Sequence, residues 1–214
     1  MVTLGSRFTQ RWTSSPLKRL GYLYRPVEAR ASGAAAERPP VEVLLLGGRS
    51  GVGKTSIGFE VSGRLQAVGV EHCLVDGDNL SATYPRPRDD PDGSRLGETN
   101  LRALWATYSR VGQRRMLYVN TVSVVNGEMV RRVVGARATI RGVLLTARDD
   151  TVRRRLGSRE IGSFLEEHLE ASRARDAALR SAAEDWVLRV ATDGRTVTDI
   201  ASDVIDAVGW STDR

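Results

Sequence analysis

Residues 44–56 read LLLGGRSGVGKTS. An apolar run ends at two glycines, and Gly53-Lys54-Thr55 follows a few residues later. The segment matches G-x-x-x-x-G-K-[ST] at every specified position. Glycine lets several backbone N–H groups converge on one hollow, and the N-terminus of a following helix adds positive potential. The stretch therefore predicts a buried strand, a phosphate-binding loop and a helix, in that order.

The loop predicts a nucleoside triphosphate site, with ATP and Mg²⁺ as the cofactors. Lys54 can reach the β- and γ-phosphates, and the hydroxyl of Thr55 can bind Mg²⁺. A chance glycine-rich turn is the alternative, but strand and helix patterns flank the motif on the expected sides. The predicted nucleotide-binding residues here are Gly48, Arg49, Ser50, Gly51, Val52, Gly53, Lys54, Thr55 and Ser56.

Strand and helix patterns alternate through the rest of the chain. Apolar, β-rich segments predict strands at 41–47, 71–76, 115–121, 138–146 and 186–191. Helical patterns predict helices at 54–68, 98–111, 126–134, 149–184 (in one or two pieces) and 197–208. Such alternation is typical of a parallel sheet covered on both faces. We predict an α/β P-loop NTPase fold for residues 41–214: a five-stranded parallel sheet with helices on both faces and a helical lid.

Charge separates an extension from this body. The net charge of the chain is +6. Residues 1–40 hold seven Lys or Arg and two Asp or Glu, a net +5, which leaves +1 for residues 41–214. A nearly neutral body argues against a broad nucleic-acid footprint. We interpret the basic extension as a disordered segment or an upstream start, with a targeting sequence or a partner contact as alternatives.

Composition excludes several other classes. No run of 18 or more apolar residues occurs, so no transmembrane helix is predicted. Cys73 is the single cysteine, which excludes an internal disulfide framework, and with His72 and His168 it gives no zinc-binding spacing. We expect a cytoplasmic protein whose partner is a small-molecule acceptor rather than a membrane or a nucleic acid. The sequence leaves the oligomeric state open.

Two carboxylates follow the second predicted strand, at Asp76 and Asp78. Side chains two residues apart point the same way if the strand stays extended. One carboxylate suits Mg²⁺, and the other suits a general base for an incoming hydroxyl. We expect both beside the phosphate loop, because strands one and two should flank the same crevice. The alternative is an Asx turn that caps the next helix.

Together these motifs resemble the small-metabolite P-loop kinases. Residues 76–79, D-G-D-N, are similar to the same motif of adenylylsulfate kinase, and gluconate kinase has a similar D-G-D. Chloramphenicol phosphotransferase, shikimate kinase and actinobacterial AAA-type ATP-binding proteins of unassigned substrate share the plan. The resemblance covers residues 41–210 in layout. It implies that Asp78 is the base and that Asp76 is the magnesium partner.

The resemblance also suggests residues for the acceptor. Asn100-Leu101-Arg102 matches the end of a D-R-x-x-N-I-R motif in adenylylsulfate kinases, but Arg95 lies two residues too far upstream. Residues 118–123 replace a serine-rich acceptor loop. These departures argue against adenylylsulfate and leave the acceptor unassigned. The predicted acceptor-binding residues are Asp78, Asn79, Arg95, Asn100 and Thr121.

An arginine-rich segment after the fourth predicted strand, residues 146–160, suggests the lid. Arg155 and Arg159 are four residues apart, so they share one helix face if the predicted helix continues past Gly157. In the resembling kinases, lid arginines stabilise the charge of the transferring phosphoryl group. A solvated arginine face is the alternative. The family layout also places the adenine near the loop that contains Asp193 and Arg195.

The predicted function is ATP-dependent phosphoryl transfer to a hydroxyl or anionic group of a small metabolite. Its predicted catalytic residues are Lys54, Asp78, Arg155 and Arg159. The third strand lacks the terminal acid of a Walker B motif, which favours a metabolite kinase over a motor ATPase. A non-enzymatic ATP-binding module or switch is one alternative, and it has less need of Asp78 and a lid. A polynucleotide, antibiotic or toxin-type kinase is the other.

Overall fold

The computed structural model describes residues 39–157 and 165–210. Its strands alternate with helices in the predicted order. The strands are β1 (Glu42–Gly47), β2 (Cys73–Asp76), β3 (Arg115–Val119), β4 (Thr139–Thr146) and β5 (Val187–Ala191). The helices are α1 (Lys54–Ala67), α2 (Ser94–Arg110), α3 (Gly127–Val134), α4 (Asp149–Gly157), α5 (Leu165–Ala182) and α6 (Val197–Val208).

The five strands form one parallel sheet in the order β2-β3-β1-β4-β5. β1 is central, so Leu44 pairs with Leu117 of β3 on one side and with Arg141 of β4 on the other. A central parallel strand is covered on both faces, which explains its nearly continuous apolar sequence. The predicted fold class is confirmed. The expectation that strands one and two flank one crevice is wrong, because β3 lies between them.

Side chains of β1 alternate between two hydrophobic cores. Leu44 and Leu46 belong to the core that includes residues of α1 and α6. Val43 and Leu45 belong to the core on the other face, with Leu101 of α2 and residues of α3. This alternation follows from the two-residue period of a strand. The layers fix the end of β1, and therefore the loop that follows it, relative to both sets of helices.

Two helices differ from their predicted extents. α2 begins at Ser94, four residues before the predicted start, because the buried carboxylate of Asp90 accepts hydrogen bonds from the N–H groups of Arg95 and Leu96. Such bonds satisfy N–H groups that a helix leaves without partners in its first turn. The predicted 149–184 helix is two helices, α4 and α5, and residues 158–164 between them lie outside the described residues.

No helix within residues 39–157 and 165–210 is long and apolar enough to cross a bilayer.

Candidate active site

The phosphate loop, residues 47–54, joins β1 to α1 and depends on glycine at three positions. Gly48, Gly51 and Gly53 have φ angles of 139°, 83° and 101°, in the region that side chains disfavour. A Cβ atom on Gly48 would also lie 2.6 Å from the carbonyl oxygen of Leu145. The loop therefore tolerates no larger residue at Gly48, for conformational and steric reasons together. The predicted strand, loop and helix context of the motif is confirmed.

Lys54 is the first residue of α1 and is only 7% exposed. Its ammonium group donates to the carbonyl oxygen of Arg49 at 3.4 Å and lies 3.9 Å from a carboxylate oxygen of Asp78. Burial lowers the pKa of Lys54, the charges of Asp78 and Asp76 raise it, and the charge of Arg175 lowers it further. The lysine is thus partly desolvated, and the charges of two carboxylates act on it. The negative charge of a bound triphosphate would favour the protonated form of Lys54 and raise its pKa.

Asp78 is oriented by the segment that follows β3. One carboxylate oxygen accepts hydrogen bonds from the side-chain amide of Asn120 and from the backbone N–H of Thr121, both at 2.9 Å. The other accepts from the Thr121 hydroxyl at 3.4 Å. The Asp78 side chain stays 41% exposed, so its carboxylate is held in place and still reachable by a ligand. Proximity to the phosphate loop was predicted correctly, but it arises through β3 rather than through adjacent first and second strands.

Gly77 lets the Asp-Gly-Asp turn pack against an aromatic ring. A Cβ atom on Gly77 would meet the ring and hydroxyl of Tyr118 at 2.4–2.6 Å. Tyr118 is 4% exposed, and burial, with the nearby charges of Asp78 and Asp76, raises its pKa to about 12. Its hydroxyl therefore stays protonated at neutral pH beneath the two carboxylates. Tyr118 fixes the height of the turn above the sheet.

Asp76 forms the Asx turn that was considered as the alternative to a metal site. Its carboxylate accepts a hydrogen bond from the N–H of Asp78 at 3.1 Å and caps the short 3-10 turn Gly77–Asn79. The second carboxylate oxygen is not used by that bond. Thr55 is exposed at the start of α1. Among the described residues no three His, Cys, Asp or Glu side chains cluster as a metal site, so any Mg²⁺ would need phosphate oxygens and water as further ligands.

The other predicted acceptor residues are distributed around the Asp78 turn. Asn79 is exposed, and Thr121 contacts Asp78 directly. The side-chain amide of Asn100 donates to the carbonyl oxygen of Leu80 at 2.7 Å, so Asn100 fastens α2 to the end of the turn. Arg95 is exposed and ion-pairs with Asp89 in the loop before α2. Acceptor contacts by these residues stay predictions.

Arg155, a predicted lid residue, contacts the phosphate loop from outside. Its guanidinium donates to the carbonyl oxygens of Gly51 and Val52, at 3.4 and 3.1 Å. It also donates to the hydroxyl and carbonyl oxygens of Thr192, both at 2.9 Å. Arg155 thereby links the phosphate loop to the segment after β5, and its predicted contact with phosphate stays a prediction. Arg159 lies outside the described residues.

The residues predicted near the adenine lie in two different environments. Asp193 accepts from the N–H of Arg148 at 3.0 Å, and bonds from Thr151 and Arg148 lower its pKa. Arg195 instead ion-pairs with Asp203 of α6 at 2.7 Å, beside an open groove of about 390 Å³ between β5 and α6. Asp193 thus holds the start of α4, and Arg195 turns toward α6. Their contact with a nucleotide stays a prediction.

Arg49 was predicted as one of the nucleotide-binding loop residues, and its side chain is almost fully buried. The guanidinium ion-pairs with Asp149 at 2.7 Å, donates to the carbonyl oxygen of Ala147 at 2.8 Å, and faces Asp176 of α5. The hydroxyl of Ser172, also on α5, donates to the carbonyl oxygen of Ser50 at 3.2 Å. The outer side of the loop is therefore covered by α4 and α5. Ser56, the last predicted loop residue, is exposed on α1.

Sequence reasoning missed an arginine on α5. The charge of Arg175 acts on Lys54, and Arg175 has no ion pair with another residue in the described ranges. Helical residues are about 100° apart, so Arg173 and Arg175 flank opposite sides of Ser172. Arg173 pairs with Asp149 at 2.8 Å, which leaves Arg175 on the flank toward Lys54. The three-residue spacing from Ser172 was visible in the sequence, but its meaning depended on which face of α5 covers the loop.

The sheet order and the glycine-rich loop define an α/β fold of the P-loop class. No protein-family profile matches the chain, and no curated protein sequence matches it. Solved structures match over most of their length. A gluconokinase from Sinorhizobium meliloti is 14% identical with a TM-score of 0.51, over 81% of this chain and 94% of that one.

Two further solved structures give the same result. A tunicamycin resistance protein from Deinococcus radiodurans is 15% identical with a TM-score of 0.54, over 80% of this chain and 97% of that one. A shikimate kinase from Bacteroides thetaiotaomicron is 13% identical with a TM-score of 0.53, over 79% and 98%. At these identities the likeness establishes the fold. The resemblance to small-molecule P-loop kinases is confirmed at that level.

Proposed function

We propose that this protein is an ATP-dependent kinase that transfers a phosphoryl group to a hydroxyl or anionic group of a small metabolite in the cytoplasm. The observation that carries the proposal is the placement of Asp78. Its carboxylate is oriented by Asn120 and Thr121, stays 41% exposed, and lies 3.9 Å from the ammonium of Lys54. A phosphate-binding loop alone needs no such carboxylate. Phosphoryl transfer to a hydroxyl does.

Phosphate binding, proton transfer and metal binding are assigned to different residues of the site. The loop amides and Lys54 bind the β- and γ-phosphates, and the carboxylate of Asp78 orients the acceptor hydroxyl and takes its proton. The acceptor oxygen then bonds to the γ-phosphorus as the bond to the β–γ bridging oxygen breaks, which releases ADP. Thr55 and Asp76 would hold Mg²⁺, which when bound would neutralise negative charge on the phosphate oxygens.

Arginines would complete the site. The phosphoryl group carries negative charge over three oxygens in the transition state, and guanidinium groups stabilise such charge well where water is scarce. We propose Arg175 for this role beside the predicted Arg155 and Arg159, because Arg175 is on the flank of α5 toward Lys54. The likeness in fold to structures named gluconokinase and shikimate kinase supports a small-molecule acceptor.

Asp78→Asn tests the proposal. Asn keeps the shape and an oxygen acceptor for the Thr121 N–H but cannot take the proton, so turnover should fall about 10²- to 10⁴-fold. ATP·Mg²⁺ affinity, measured by calorimetry, should change little because the loop and Lys54 remain. Turnover is measured as phosphate release, and as transfer to metabolites chosen by a thermal-shift screen with ATP and Mg²⁺. Asp76→Asn, in parallel, should raise the Mg²⁺ concentration that turnover requires.

Asp185→Asn is the matched control, since this exposed aspartate has no hydrogen bond or ion pair to any of the described residues. A non-enzymatic ATP-binding module predicts no turnover in the wild type and no effect at Asp78. If Asp78→Asn abolishes ATP binding while Asp76→Asn changes nothing, the two roles are reversed. If both variants behave like Asp185→Asn, the kinase proposal fails.

A further inference from the structure

The phosphate loop contains a buried arginine that faces away from the lysine. Arg49 is 2% exposed, the least expected environment for a guanidinium. It is neutralised by two carboxylates from different helices: Asp149 at the start of α4, at 2.7 Å, and Asp176 in α5, at 3.8 Å. We call Arg49, Asp149 and Asp176 the Arg49 cluster.

One half of the Arg49 cluster is complete and the other is not. The contact with Asp149 has hydrogen-bond length, and it lowers the pKa of that carboxyl. The contact with Asp176 does not have hydrogen-bond length, and both Nε of Arg49 and Oδ1 of Asp176 are buried without a hydrogen-bond partner. The other oxygen of Asp176 pairs with Arg180 at 2.7 Å. Two facing buried polar atoms that lack hydrogen bonds are nevertheless unfavourable. A shift of α5 toward the loop by about 1 Å would join them.

The same loop segment is attached to α4 and α5 through its backbone. Ser172 of α5 donates to the carbonyl oxygen of Ser50, and Arg155 of α4 donates to those of Gly51 and Val52. The carbonyl oxygen of Arg49 itself accepts from the ammonium of Lys54. Arg49 therefore contacts the helices through its side chain and Lys54 through its backbone. A movement of α5 that brings Asp176 to hydrogen-bond distance of Arg49 would therefore also affect the Arg49 carbonyl oxygen, to which Lys54 donates.

We propose that Arg49 is a positioning residue that couples the packing of α5 to the shape of the phosphate loop, so that nucleotide binding and completion of the Arg49–Asp176 contact favour each other. The inference rests on the proposed nucleotide binding at this loop. Coupling of this kind is reciprocal: if ATP tightens α5, then α5 packing must tighten ATP binding by the same factor. Arg49 acts through the loop backbone and Lys54 rather than on the nucleotide.

Asp176→Asn is the most conservative test, because it leaves Arg49 paired with Asp149. We expect ATP·Mg²⁺ affinity, by calorimetry, to fall about tenfold, within the range usual for coupled sites. In the wild type, ATP should slow hydrogen exchange of the backbone amides in residues 166–182. In Asp176→Asn most of this ATP-dependent protection should be lost. Asp176→Glu keeps the carboxylate and should retain the ATP-dependent protection. Asp185→Asn should behave as the wild type.

Arg49→Lys gives a second, independent measurement. Lysine keeps the charge but lacks the planar fork that reaches two carboxylates and a carbonyl oxygen at once. It should weaken ATP binding and remove the α5 response even where the melting temperature is preserved. A role limited to structural stability predicts a lower melting temperature with an unchanged ATP-dependent exchange difference, and that result would overturn the proposal.

The outcomes separate this inference from the proposed function. Two outcomes would refute the coupling and leave the kinase proposal standing, provided that the wild type binds ATP. In the first, hydrogen exchange in α5 is the same with and without ATP. In the second, ATP slows exchange in Asp176→Asn as much as in the wild type. If the wild type binds neither ATP nor inorganic tripolyphosphate, both are refuted.

Discussion

Gly77→Ala is the sharpest test of how the Asp-Gly-Asp turn is built. Gly77 is outside the set of glycines with positive φ, so alanine meets no backbone penalty there, and the whole effect comes from the added methyl group. That methyl would lie 2.4 Å from a ring carbon of Tyr118. Carbon atoms pack at about 3.5–4.0 Å, so the turn or the ring must move by roughly 1 Å or more.

Tyr118 cannot move easily, because it lies in β3 between β2 and β1 and is buried in the core. The turn therefore moves, and the carboxylate of Asp78 moves with it. Overpacking of this kind costs about 1–3 kcal/mol in free energy of unfolding, and a chain of this size loses about 2–4 °C in melting temperature per kcal/mol. Displacing a catalytic group by about 1 Å can cost roughly 10²-fold in turnover.

The assay pairs melting temperature with ATP turnover, measured as phosphate release. Gly63→Ala is the matched control: this glycine is exposed in α1, no atom lies within 4 Å of the added Cβ, and alanine is the better helix former. Adding Tyr118→Leu to Gly77→Ala removes the ring and should restore part of the lost stability. If Gly77→Ala keeps the melting temperature and turnover of Gly63→Ala, Tyr118 does not set the position of the turn.

Two further predictions concern Lys54 and the basic extension. Burial lowers the pKa of Lys54 in the folded protein below its ordinary value of 10.5. At pH values between the lowered pKa and 10.5 the unfolded chain binds more protons than the folded one, so the free energy of unfolding rises with pH. Lys54→Met should lack this rise, raise the melting temperature of the ligand-free protein at neutral pH by a few degrees, and abolish ATP binding and turnover. Thermal melts across pH with calorimetry check this, and wild-type ATP affinity in the variant would show that the site is misassigned. Deleting residues 1–39 should leave melting temperature and ATP affinity unchanged, and a large fall in either would show that the extension contributes to the folded body.

The parts of the site that the sequence predicted are those determined locally. Strand, loop and helix around Gly48 and Lys54 follow one another along the chain, and each leaves its own pattern. The closeness of Asp78 to Lys54 was also predicted, yet for a wrong reason, because the sequence does not reveal that β3 inserts between β1 and β2.

The parts that the sequence did not reveal depend on distant residues meeting. Asn120 and Tyr118 act on the Asp-Gly-Asp turn only because β3 and β2 pair side by side. Arg49 looked like a nucleotide contact, since nothing in the loop indicated that two carboxylates more than ninety positions away would bury it. Arg175 was indistinguishable from its neighbouring arginines until α5 had a defined face.

The central position of β1 has a consequence for how the protein is made. Among the described residues β1 is synthesised before the other strands, but both of its neighbours in the sheet, β3 and β4, come later in the chain. Ser172 is 122 residues beyond the loop residue it supports, which at cellular translation speeds is a delay of roughly ten seconds. During that time β1 lacks its neighbouring strands for part of the interval, and Arg49 lacks the carboxylate of Asp176 throughout it. A fragment that stops before α5 therefore has the phosphate loop without the hydroxyl of Ser172 and the carboxylate of Asp176 that contact it in the folded protein.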